Sequence, residues 1–218
     1  MNLNDIPFYK LNYDGIDLDR LKFETSRVLR LAGTVPYKSS FFLARSKYKR
    51  AWSGISLWGS NGDLFSDFTE GDHNGLLQAT QLESHMPYTY SLIRDLYGYS
   101  TKSRVRLMRI APKSSLYWHS HVQEHGQDEN ELTIQIPINV PEGFKYCVVD
   151  KDEFKWYKRL YPRSWFNTLS EFTPEEGYAY YFNSYHYHNV YNPSNEYRDS
   201  IMFYMDYNHR DVKKLFKI

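Results

Sequence analysis

Arg104–Pro112 reads RVRLMRIAP and Thr133–Ile138 reads TIQIPI. In the first run Arg104, Arg106 and Met108 alternate with Val105, Leu107 and Arg109; in the second Thr133, Gln135 and Pro137 alternate with Ile134, Ile136 and Ile138. Side chains along a strand point to two faces in turn, so this period of two marks half-buried strands. Further strands are expected at Lys145–Val149, Tyr178–Phe182, Asn189–Tyr191 and Ser200–Tyr207, set apart by Pro, Gly and Asn. Several short strands with turn signals between them indicate a sandwich or barrel, and a jelly roll is the version that carries a small-molecule site in its mouth. The expected fold is mainly β with flanking helices, a double-stranded β-helix.

Outward from these strands the pattern weakens. Asp17 is placed to cap a helix running to about Leu31, with Leu18, Leu21, Val28 and Leu29 near one face and Gly33 stopping it. A second helix fits Pro87 to Tyr97, closed by Gly98, and a short one fits the charged tail Arg210–Lys217. Trp52, Gly54, Trp58, Gly59 and Gly62 are spaced as in loops and short strands. Residues 1–100 thus read as a helical or mixed part packed on a core formed by 101–218, together one compact domain.

The 218 residues suffice for one sizeable core, and 27 Lys plus Arg against 26 Asp plus Glu leave almost no net charge. No nucleic-acid partner working through a broad cationic surface is expected. The chain shows no apolar run long enough for a bilayer and no signal peptide before Lys10. Cys147 is the only cysteine, which excludes an internal disulfide and fits a reducing cytoplasm. Aromatic residues reach 18%, suited to strands whose rings cover half-buried surfaces.

Five of the eight histidines fall in two groups, His119, His121 and His125, then His186 and His188. Residues two apart on a strand share a face, so each pair can address one point, and a jelly roll brings distant strands side by side. Imidazole selects Fe, Zn, Cu or Ni over Ca and Mg. Ten positions after His188, Arg198 offers a planar fork for the far carboxylate of a metal-chelating dicarboxylate, with Ser200 on the same strand face.

These residues, from Arg104–Pro112 through Trp118-His119-Ser120-His121, Ile134–Ile138 and Gly177 to His188-Asn189 and Arg198, resemble the aspartyl/asparaginyl β-hydroxylases, a cupin-like family of oxygenases dependent on iron(II) and 2-oxoglutarate. The resemblance covers about residues 76–207. It implies iron held by His119, His121 and His188, with imidazole standing where the family usually has an aspartate. It also implies 2-oxoglutarate held by Arg198 and Ser200. Thr133 and Gln135 occupy strand positions where the family usually carries Arg and His, so Gln135 or Arg109 would replace the lost donors. A carboxylate from Glu124, Asp128 or Glu129 is the other candidate third ligand. His186, Trp118 and Asn183 are candidates for support of the ligands or for substrate contact, and His125 reads as a loop residue.

The activity so implied is O2-dependent hydroxylation of a C–H bond of an amino acid or aminoacyl residue, on a small-molecule or peptide substrate. Two other readings stand beside it: a cosubstrate-independent three-His cupin oxygenase, and a non-catalytic jelly-roll binding module.

Overall fold

In a computed structural model, the described residues are 6–36, 44–45, 51–69, 76–97, 104–116, 118–120, 131–149, 169–206 and 212–216. Among the described residues thirteen strands form two sheets. They are β1 (Phe8–Lys10), β2 (Val35–Pro36), β3 (Ala44–Arg45), β4 (Trp52–Ser60), β5 (Leu77–Ala79), β6 (Val105–Ile110), β7 (Ser114–Leu116), β8 (Glu131–Asn139), β9 (Lys145–Val149), β10 (Ser170–Phe172), β11 (Tyr180–Phe182), β12 (Tyr187–Asn192) and β13 (Arg198–Asp206). The larger sheet runs β1-β11-β8-β13-β6-β4-β2, with β5 also on β4; the smaller runs β10-β9-β12-β7-β3. From β6 to β13 the chain passes repeatedly between the two sheets through antiparallel pairings. This is the jelly roll expected from the alternating runs.

The two long helices lie on the outer face of the larger sheet. α1 (Leu18–Leu31) starts where the Asp17 side chain accepts from Arg20 N at 3.1 Å, and it ends before Gly33, whose φ of +68° is the left-handed conformation glycine adopts without cost. Leu21 and Val28 are fully buried, worth ~1.5 to 3 kcal/mol each. Glu24 ties α1 to α3 (Pro87–Tyr97) by accepting from the backbone N–H groups of Tyr88 and Thr89, both at 2.9 Å. The remaining helices are α2 (Ser66–Thr69) and α4 (Val212–Phe216).

Strand parity sorts the core into two layers. Val105, Leu107, Ile134, Ile136, Ile201 and Phe203 face the helices; Met108, Ile110, Met202 and Tyr204 face the smaller sheet. The larger sheet is therefore buried on both faces, where the alternation alone suggested one. The N-terminal part contributes strands as well as helices: β1, β2, β4 and β5 extend this sheet. β4 replaces the expected loops and short strands. Its Gly54 is required by packing, because a Cβ there would lie 2.5 Å from the Phe68 ring and 2.6 Å from the Leu107 carbonyl.

Candidate active site

His119 and His188 form an antiparallel bridge between strand segments of the smaller sheet. Each backbone N–H donates to the other's carbonyl, at 3.0 Å from His119 and 2.8 Å from His188. The two rings lie side by side, centroids 4.2 Å apart, both nearly buried. His188 Nδ1 is 2.9 Å from the His186 carbonyl oxygen, which can only accept. The ring therefore carries its proton on Nδ1 and leaves Nε2 with a lone pair, the arrangement that orients metal-binding imidazoles. The Phe182 ring meets His188 edge-on at 4.7 Å, and Trp52 stands 6.1 Å from His119. Asn189 pins β12 to β7 by donating its side-chain amide to the Leu116 carbonyl.

Arg198 reaches the same cavity from β13. Its guanidinium donates to Ser200 Oγ, to Gln135 Oε1 at 3.1 Å and to the Tyr146 hydroxyl at 2.5 Å, while Tyr146 itself donates to Gln135 Oε1. It lies 5.0 Å from the Phe144 ring centroid. Among the described residues its three hydrogen-bond partners are neutral, and its Nε has none. Burial pushes the Arg198 pKa below its ordinary value and the Tyr146 pKa above its own, the latter partly offset by the neighbouring guanidinium. At neutral pH the group is a buried cation beside a neutral phenol. Asp199, the next residue, helps this charge only from a distance and is itself paired to Arg109, so an entering anion would lower the cost of burying the cation.

The cavity between the imidazoles and Arg198 is walled by Trp52, Met108, Leu116, Phe182, Val190 and Met202. It leaves about 40 Å³ to the centre of a water molecule, room for a few small groups beside the wall.

Of the candidates read from the sequence, the cavity brings together His119, His188, Gln135, Arg198 and Ser200. His121 and the 124–129 carboxylates lie outside the described residues, as does His125. Arg109 is not part of the cavity. It stands opposite Asp199 in the β6–β13 ladder, on the helix-covered face, and donates to both carboxylate oxygens at 2.7 and 3.0 Å. Trp118 packs with Cys147 and Val149 on the other face of the smaller sheet. His186 contributes its carbonyl, and Asn183 accepts from Tyr185 N at 3.2 Å, shaping the turn that leads to His188. Tyr146 and Trp52 were missed. The signal for Tyr146 is its parity with Val148 in β9, and for Trp52 there is none, because the glycines around it read as loops and short strands.

The sequence matches no protein-family model and no curated protein. Among solved structures, the chain is similar to an oxidoreductase of the 2OG-Fe(II) oxygenase family from Burkholderia pseudomallei, with TM-score 0.59 and 13% identity over 94% of this chain and 88% of that one. The chain has the fold of the 2-oxoglutarate oxygenases. A prolyl hydroxylase from Trichoplax adhaerens, in complex with a hypoxia inducible factor peptide, matches with TM-score 0.54 and 14% identity over 96% of this chain and 88% of that one. HygX from Streptomyces hygroscopicus, with nickel, 2-oxoglutarate and hygromycin B bound, matches with TM-score 0.53 and 13% identity over 92% and 83%. Among the described residues no helix is long and apolar enough to cross a membrane.

Proposed function

We propose that this chain is an iron(II)- and 2-oxoglutarate-dependent dioxygenase of the aspartyl/asparaginyl β-hydroxylase type, acting on an amino acid or aminoacyl residue. The observation that carries the reading is Arg198, a buried cation with only neutral hydrogen-bond partners among the described residues, at one end of a cavity whose other end holds two imidazoles paired across an antiparallel bridge. His119, His188 and either His121 or a carboxylate from 124–129 would hold the metal. When bound, iron(II) supplies O2 activation that couples oxidative decarboxylation of 2-oxoglutarate to hydroxylation: RH + O2 + 2-oxoglutarate gives ROH + succinate + CO2.

The chain's own residues bind and orient. Arg198 and Ser200 donate to the remote carboxylate of 2-oxoglutarate, and the Tyr146 hydroxyl and Gln135 amide hold the guanidinium in place. Trp52, Phe182 and Met108 keep bulk water out of the cavity. The neighbours take both a small molecule and a peptide, and either form of substrate suits this reading. The near-zero net charge and the single, buried Cys147 favour a cytoplasmic protein without a nucleic-acid partner.

Anaerobic titration with iron(II), then with 2-oxoglutarate, followed by succinate assays with free and peptide-borne amino acids, tests the proposal. Iron binding together with 2-oxoglutarate binding at micromolar to low millimolar concentration is expected. Iron binding with no 2-oxoglutarate binding at millimolar concentration would establish the three-His cupin reading instead, and loss of both would leave a non-catalytic jelly roll.

A further inference from the structure

On the opposite side of the larger sheet a second cleft, of about 450 Å³, opens between α1 and the end of β8 and β13. That volume is within the range of small-molecule sites. Lys22, Thr25, Leu29 and Arg30 reach it from successive turns of α1, and Arg109, Ile138, Asn139 and Asp199 from the sheet. The β8–β13 register shifts between Asp199 and Ser200, leaving Ile138 as an extra residue in β8, and this irregularity lets both Ile138 and Asn139 line the cleft.

Three cations stand against one lining carboxylate. Lys22 is paired to Glu176 at 2.6 Å and Arg109 to Asp199, whereas Arg30 has no carboxylate partner among the described residues. Thr25 is 3% exposed and its hydroxyl has no hydrogen-bond partner among the described residues, although helix-borne threonines ordinarily bond back to the preceding turn. Leu29 and Ile138 add an apolar surface between the charged groups.

We infer that this cleft binds a small organic anion, a carboxylate or phosphate ester, separately from the cavity of Arg198. The head group lies against Arg30 and Arg109 and reaches the Thr25 hydroxyl; a short apolar body lies on Leu29 and Ile138.

Calorimetric titration with hexyl phosphate, inorganic phosphate and hexanol tests both halves. Hexyl phosphate should bind with Kd below about 1 mM, inorganic phosphate roughly 10-fold more weakly, and hexanol not measurably. Arg30→Gln, at an exposed helix position that folding tolerates, should weaken hexyl phosphate at least ~5-fold, as should Thr25→Val. 2-Oxoglutarate binding at the other cavity, measured in parallel, should not change in Arg30→Gln. Absence of binding at 10-fold the expected Kd, equal binding of hexanol, or hexyl phosphate affinity unmoved by Arg30→Gln would each overturn the inference. Should Thr25→Val lower the melting temperature sharply, Arg30→Gln decides alone.

Discussion

The two faces of the larger sheet carry adjacent residues of one strand to opposite fates. Toward the helices, Asp199 meets Arg109 in a two-point ion pair flanked by Ile, Leu and Val. Toward the smaller sheet, Arg198 meets a hydroxyl, a phenol and an amide, in a cavity that also holds two imidazoles. A cation given a carboxylate has a counter-charge within the fold. The more deeply buried cation, given only neutral hydrogen-bond partners among the described residues, is prepared for a ligand, and this contrast sets the face of the Arg198 cavity apart from the face of the ion pair.

The sharpest separation should come from core truncation. Phe203→Ala, at a fully buried position facing the helices, should cost about 3 to 5 kcal/mol in urea unfolding and leave the residual folded fraction with normal 2-oxoglutarate affinity; an affinity change larger than the stability change would dissolve the distinction between the faces. Next, His119→Ala or His188→Ala should weaken binding of iron(II) or nickel(II) at least ~100-fold, more than loss of an outer partner usually costs, and unchanged affinity in either would remove that residue from the site. Arg198→Met should raise the 2-oxoglutarate Kd about 10- to 100-fold while leaving stability unchanged or higher, because an uncompensated buried charge is replaced by an apolar chain of similar length. Arg109→Met should do the reverse, lowering stability and sparing the cosubstrate.

The smallest effects compare two buried tyrosines. Tyr90 donates to the Leu57 carbonyl at 2.6 Å on the helix side, and Tyr146 contacts Arg198 in the cavity. Tyr90→Phe should cost ~1 kcal/mol of stability, whereas Tyr146→Phe should act mainly on 2-oxoglutarate affinity. Burial raises both phenol pKa values. The unfolded phenols release protons near pH 10 while the folded ones retain them, so stability should be level through neutrality and fall as pH rises above ~10. Tyr90→Phe should flatten that alkaline fall; an unchanged slope would remove Tyr90 as a contributor.

Where a local signal sets the structure, the sequence was readable. α1 follows from Asp17 and Gly33, α3 spans Pro87–Tyr97, and β9 runs from Lys145 to Val149 as the apolar run indicated. β4 was hidden because its glycines serve tertiary packing: Gly54 yields space to Phe68, a residue 14 positions away that no local pattern couples to it. His119, His188 and Arg198 were visible through spacing. Arg109 was misplaced because both faces of β6 are apolar, so alternation shows that two faces exist without showing which one looks into the cavity.

The alternation at Arg198–Asp199 makes the site vulnerable to changes of length more than of composition. Removing one residue from β13 between Arg198 and Ile201, with the rest of the ladder kept in register, would turn Arg198 to the helix side and break its alignment with Gln135. No side chain would need to change for the chemistry to be lost. Functional descendants of this chain can therefore vary many of its wall residues, but in β13 they must preserve the count.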